Sequence, residues 1–127
     1  MTKKQEILSL DTPQKIFSFV INHLQTQGRS FDEKTMECMY RGSNNTSCAV
    51  GCLILDGEYT KDMEGINVDF FPDRFPHMKR LFPHIKLLTD LQRLHDLDSL
   101  WEDTEYSKYR KNERIKSIAD KYGLENP

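Results

Sequence analysis

Cys38-Met39-Tyr40-Arg41-Gly42-Ser43-Asn44-Asn45-Thr46-Ser47-Cys48-Ala49-Val50-Gly51-Cys52-Leu53-Ile54 holds all three cysteines of a 127-residue chain, and its reading decides the fold class. Gly42, Ser43, Asn44 and Asn45 are residue types that tolerate turn geometry, because glycine adopts positive φ freely and short polar side chains bond their own backbone. Met36 to Arg41 and Thr46 to Val50 flank that cluster, so the stretch predicts a β-hairpin. The second arm also has a helical reading: Ser47 stands where a cap would, and Cys48, Cys52 and Leu55 recur on one helical face. A strand running into a short helix that ends at Leu53 or Ile54 satisfies both patterns. The expected fold is α+β, a predominantly helical single domain with a small β-hairpin that bears the cysteines.

Helical patterns stand on both sides of this stretch. Upstream, Thr12 is placed to cap a helix whose first residue is Pro13, where the missing N–H costs nothing. Ile16, Phe17, Val20, Ile21 and Leu24 continue it at helical spacing and Gly28 supplies a stop, while His23 beside the stripe reads as a solvated or capping histidine. Downstream, Thr60 to Gly65 offers at most one helical turn, and Ile66 to Phe71 fits an edge strand or a short helical turn. Pro72, Pro76 and Pro83 break the next segment into a loop with one short helix. Ile85, Leu87, Leu88, Leu91, Leu94 and His95 then line one side of a central helix, opposite Lys86, Asp90 and Arg93. A last helix is expected from about Asn112, with Ile115, Ile118, Ala119 and Tyr122 as its stripe and Gly123 as its stop. Residues 1–127 make one domain, with 1–10 and 125–127 as loose termini.

Composition narrows the function classes. Hydrophobic residues are 37% and charged residues 30%, and seven Phe, five Tyr and one Trp supply enough large apolar groups for a packed core. Eighteen basic against twenty acidic residues give a formal charge of −2, which excludes a nucleic-acid binder that works by bulk charge and leaves room only for a local patch. Met1 to Leu10 lacks the apolar run of about seven residues of a secretory leader. No stretch approaches the roughly 20 apolar residues of a spanning helix. A cytoplasmic protein with reduced thiols and no membrane partner is therefore expected, to which an odd cysteine count also points. The glycosylation tripeptides at Asn44 and Asn45 then have no consequence.

Four constellations carry chemistry. Cys48 in the first turn of a helix would have its thiolate favoured by unpaired N–H groups, with His95 and the adjacent Asp96, or His77 and His84, supplying a base, and Gly51 admitting a substrate backbone. The competing reading makes Cys48 and Cys52 small apolar core residues. Cys38, Cys48 and Cys52 with one histidine would form a Cys3His zinc site, against which counts the wide gap to Cys38; no cofactor is the expectation and zinc the alternative. Between Tyr106 and Tyr122, six basic residues that include Arg110 and Arg114 stand against two acidic ones. With Tyr106, Tyr109 and Tyr122 interleaved they would serve phosphate contact and stacking, or simply a solvated face. Arg41, beside Tyr40, would fork onto a carboxylate or phosphate, or pair with Asp56 or Glu58. The acids Asp56, Glu58, Asp62, Glu64 and Asp69 do not match a calcium loop and read as solvated.

The blocks Cys-Met-Tyr-Arg-Gly at 38–42, Cys-Ala-Val-Gly-Cys-Leu-Ile at 48–54, Glu58-Tyr59, Met63-Glu64-Gly65 and Leu91-Gln92-Arg93-Leu94-His95-Asp96 resemble a family of small proteins of unknown function encoded by bacteriophages and bacterial genomes. The resemblance spans most of the chain from Pro13 to Leu124. It implies a setting rather than an activity: a phage-type accessory protein in bacterial cytoplasm that modulates a host protein or a nucleotide signal. The functional expectation is accordingly a binding protein, with Tyr40, Arg41, Asn44, Asn45, Arg110 and Arg114 as its contact residues and a bacterial host protein as partner. Its rivals are a Cys48-dependent hydrolase or transferase, and nucleotide or nucleic-acid binding through Arg41 and the C-terminal basic helix.

Overall fold

Pro13 leads a helix, as its fixed φ and missing N–H predict. In a computed structural model, residues 2–27, 39–42, 46–96 and 104–126 are described. Among them are five α-helices: α1 (Lys3–Leu8), α2 (Pro13–Gln27), α3 (Phe71–Arg74), α4 (Ile85–Asp96) and α5 (Glu105–Tyr122). Thr12 starts α2, its hydroxyl accepting the Lys15 N–H at 3.2 Å and its carbonyl the Ile16 N–H at 3.1 Å. None of the described helices is long and apolar enough to cross a membrane.

The three long helices bury most of the stripes read from the sequence, with Ile85, Ile118 and Tyr122 only half-buried. Ile16, Phe17, Val20, Ile21 and Leu24 of α2, Leu87, Leu88, Leu91 and Leu94 of α4, and Ile115 and Ala119 of α5 share one apolar cluster. Each large aliphatic or aromatic side chain fully buried there stabilises the fold by about 1.5–3 kcal/mol relative to exposure. Gly123 ends α5 with φ 64°, and Leu124 folds back so that its N–H reaches the Ala119 carbonyl at 2.8 Å.

Described residues near both termini make hydrogen bonds. Thr2 and Gln5 form a reciprocal capping box on α1, at 3.2 and 2.8 Å, and Ile7 turns its side chain inward. Glu125 is gripped from both sides by Gln14, whose amide oxygen accepts the Glu125 N–H at 2.7 Å and whose amide nitrogen donates to its carbonyl at 2.9 Å. The last helix also starts earlier than Asn112. Thr104 caps it by accepting the Ser107 N–H at 3.0 Å, a better acceptor position than any the Asn112 side chain has in mid-helix.

The hairpin expectation needs correction. Among the described residues there is no strand; one isolated antiparallel bridge pairs Arg41 with Ser47, and the Gly42 N–H donates to the Thr46 carbonyl at 2.9 Å. Among the described residues the pairing extends no further, because side chains take the neighbouring backbone groups. The Tyr40 and Arg41 N–H groups both donate to the Glu64 carboxylate, at 2.8 and 3.1 Å. Ser47 exchanges two hydrogen bonds with the Gln27 amide, at 2.9 and 2.6 Å, and its carbonyl also accepts from His23. Beyond Ser47 the chain turns into a 3-10 helix over Gly51–Leu53, which replaces the short α-helix expected there and which Ser47 does not cap.

Further 3-10 turns occupy Lys61–Met63, Val68–Phe70 and Pro76–His84, the last kinked at Met78. For Ile66 to Phe71 the helical alternative holds, since Val68 and Phe71, three apart, are the pair that is buried. Phe71 packs edge-on against both Tyr40 and Phe75, with centroids 5.7 and 5.2 Å apart. This proline-rich segment thereby closes over the Tyr40 side of the cysteine corner.

Candidate functional site

The cysteine corner is built by one close approach. An ideal Cβ on Gly51 would stand 2.1 Å from the Tyr40 carbonyl oxygen, so only glycine lets the two arms meet. The backbone that Gly51 admits is the chain's own, not a substrate's. Behind it, Cys48 is 1% and Cys52 5% exposed. The Cys48 sulfur accepts the Gly51 N–H at 3.3 Å, and the Cys52 thiol donates to the Ala49 carbonyl at 3.2 Å. Burial, reinforced by Cys48, pushes the Cys52 thiol far above its ordinary pKa, the reverse of what a nucleophile needs.

His95, the expected base, is fully buried on α4, its Nδ1 3.4 Å from the Gln92 amide nitrogen. Gln92 reaches the corner in turn, accepting the Val50 N–H at 3.3 Å. The side chain of Asp96 lies outside the described residues, as do Cys38, Asn44 and Asn45. Among the described residues no group of three or more His, Cys, Asp or Glu could hold a metal ion. Cys38, the third sulfur of the zinc reading, is not among them.

Of Tyr40 and Arg41, both expected to face a ligand, Tyr40 is committed inward, and Arg41 is half-buried and engaged by the corner. Tyr40 is 6% exposed, and its hydroxyl donates to the Ile66 carbonyl. Arg41 pairs with Asp56 at 2.7 Å, donates to the Ile54 carbonyl at 2.8 Å and lies over the Tyr59 ring at 5.0 Å. The pairing alternative is the one realised, although it pins an irregular corner rather than a hairpin.

Two of the acids read as solvated carry the corner. Glu64, besides gripping Tyr40 and Arg41, accepts the Tyr59 hydroxyl at 2.6 Å. Burial first, and the Glu64 carboxylate second, push that phenol up to about 12. Glu58 accepts the Leu55 N–H at 2.9 Å and pairs with Arg80, which also donates to the Leu53 carbonyl. Neither role has a local signal, apart from Glu58 standing three residues after the N–H it caps. Between α1 and this corner lies an open groove of about 990 Å³, bordered by Lys3, Ile7, Arg41, Cys52, Leu55 and Tyr59.

The basic helix presents a different surface. Tyr106 and Tyr109 of α5 are 70% and 63% exposed, and the Arg110 guanidinium lies 5.9 Å from the Tyr106 ring centroid. Arg114 borders a smaller cleft of about 180 Å³ between α4 and α5, together with Asp90, Arg93, Ser117, Ile118 and Lys121. The expected binding set thus splits: Tyr40 and Arg41 sit inside the corner, while Arg110 and Arg114 lie on α5. Tyr106 and Tyr109 stood out in the sequence as aromatics among basic residues; Arg93 gave no sign, being one polar position of an amphipathic helix.

No protein-family model, curated protein or solved structure matches the chain.

Proposed function

We propose that the protein is a non-enzymatic binding protein, a phage-type accessory protein that docks the outer face of α5 on an acidic surface of a bacterial host protein. The observation that carries this reading is the exposed pair Tyr106 and Tyr109 with Arg110 against the Tyr106 ring. Tyrosine and arginine are residue types that anchor interfaces: tyrosine brings large contact area with little rotamer entropy to lose, and arginine brings a planar fork of donors that stacks on aromatic rings. α5 carries six basic residues against three acidic ones in a chain whose formal charge is −2, so its field selects an acidic partner. The phage and host setting rests on the resemblance of the 38–42 and 48–54 blocks. Burial of Cys48, Cys52 and His95 supports binding over the hydrolase or transferase reading.

A photo-crosslinking residue at position 109, used in the bacterial cytoplasm and followed by mass spectrometry of the adduct, tests the proposal. It expects one acidic-surfaced protein as the adduct, lost with Tyr106→Ala and retained with Cys48→Ser. Adducts unaffected by Tyr106→Ala, or abolished by Cys48→Ser in a folded protein, would overturn it.

A further inference from the structure

The cleft between α4 and α5 has a charge arrangement that folding alone does not explain. Arg93 of α4 and Arg114 and Lys121 of α5 line it, and among the described residues Asp90 is the one acidic group on its lining. That carboxylate is already committed. It accepts from Lys121 at 2.8 Å and from the Tyr122 hydroxyl at 2.5 Å. Burial raises the Asp90 pKa, but these two bonds outweigh it and hold the group below its ordinary value, with Arg93 adding only a distant electrostatic pull. Arg93 and Arg114 form no ion pair among the described residues. Among the described residues, three cations and one carboxylate leave the cleft with two positive charges in excess, and Leu94 and Ile118 give its lining an apolar part.

Two unpaired guanidinium groups bordering one cleft repel each other, and in a chain of net negative charge that placement is not a consequence of composition. Each presents a planar fork suited to the oxygens of a phosphate or carboxylate. We infer that this cleft is a binding site for a phosphomonoester or free phosphate, held between Arg93 and Arg114 with the Ser117 hydroxyl as a further donor. Charge chooses within the anions: a phosphomonoester carries about −1.5 to −2 at neutral pH and matches the two free positive charges, whereas a phosphodiester or carboxylate carries only one. A cleft of about 180 Å³ has room for a phosphoryl group. The inference is independent of the docking face proposed for Tyr106 and Tyr109. It also moves anion recognition away from Arg41, whose guanidinium already pairs with Asp56 and donates to the Ile54 carbonyl.

Titration of the full-length protein with inorganic phosphate, followed by amide NMR shifts on α4 and α5, is the test. Saturable shifts centred on Arg93, Arg114 and Ser117 are expected, with affinity in about the millimolar range for a solvent-exposed site. Arg93→Ala and Arg114→Ala should each weaken it about tenfold, the equivalent of one lost charge-assisted bond. Lys116→Ala, across the helix, should leave it unchanged. Both arginines are exposed, so the variants keep the fold. Adenosine monophosphate and a short single-stranded oligonucleotide are the comparison arms. Tighter binding of the monophosphate, with the same dependence on both arginines, would identify a nucleotide as the source of the phosphoryl group, and equal binding a free phosphate. Binding of the oligonucleotide alone, absence of saturable shifts, or shifts indifferent to both substitutions would overturn the inference.

Discussion

Gly51 and the Tyr40 carbonyl stand closer than any side chain permits: a Cβ at position 51 would lie 2.1 Å from that oxygen and 2.9 Å from its carbon. The obstacle is backbone, which cannot rotate aside as a side-chain tip would. Tyr40 is in turn fixed by its N–H on Glu64, its hydroxyl on Ile66 and its ring on Phe71. The corner therefore behaves as one packed unit.

Gly51→Ala should destabilise the protein by about 3 kcal/mol, the upper end of overpacking costs, because neither arm can yield. Gly57 meets nothing within 4 Å of an added Cβ. Gly57→Ala should stay within about 0.5 kcal/mol of the parent. Chemical denaturation of both variants checks the pair, and equal effects would contradict the close approach.

Glu64 holds the Tyr40 and Arg41 N–H groups and the Tyr59 hydroxyl. Glu64→Ala should cost about 2–3 kcal/mol, since each half-buried donor left without an acceptor costs about 1–3 kcal/mol before water compensates. Spectrophotometric titration offers a second readout. The Tyr59 phenol, held up to about 12 in the parent, should titrate lower in the variant, though burial, the larger cause, keeps it above its ordinary value of 10.0.

His23 ties α2 to the corner, its Nε2–H donating to the Ser47 carbonyl at 2.8 Å. Burial lowers its pKa, and the bond to Ser47 only partly restores it, so the folded pKa lies below the ordinary 6.5. The unfolded chain then takes up a proton at higher pH than the folded one. This contribution to stability is complete above 6.5 and is lost as pH falls through the lower, folded value. His84 is shifted the same way by burial and adds to the slope. Denaturation midpoints across the acidic range should fall less steeply for His23→Gln, which keeps a donor for Ser47 but does not titrate. Parallel slopes would contradict the assignment.

What was legible in the sequence follows the range of the forces involved. The stripes of α2, α4 and α5, the Thr12–Pro13 start and the Gly123 stop were readable because periodicity and capping are local. The capping box of Thr2 and Gln5 was equally local, and its Thr-x-x-Gln spacing was there to be read. The hairpin failed for a non-local reason: Glu64 and Gln27, twenty or more residues away on either side, take backbone groups that a ladder would use. Of the turn-type residues only Gly42 is described, beside the bridge, and Ser43 to Asn45 lie outside the described residues; turn chemistry in any case does not supply a ladder. The same distance hid the cleft, since Arg93 and Arg114 meet only through the packing of α4 on α5.

The central claim is that Cys48 and Cys52 form a packed corner and not a reactive site. Alkylation of the native protein at neutral pH, with each cysteine followed by peptide mass spectrometry, tests it most directly. Both thiols should react no faster than the protein unfolds, and should react promptly together once denaturant is added. Rapid, selective modification of Cys48 or Cys52 in the folded protein would contradict the account.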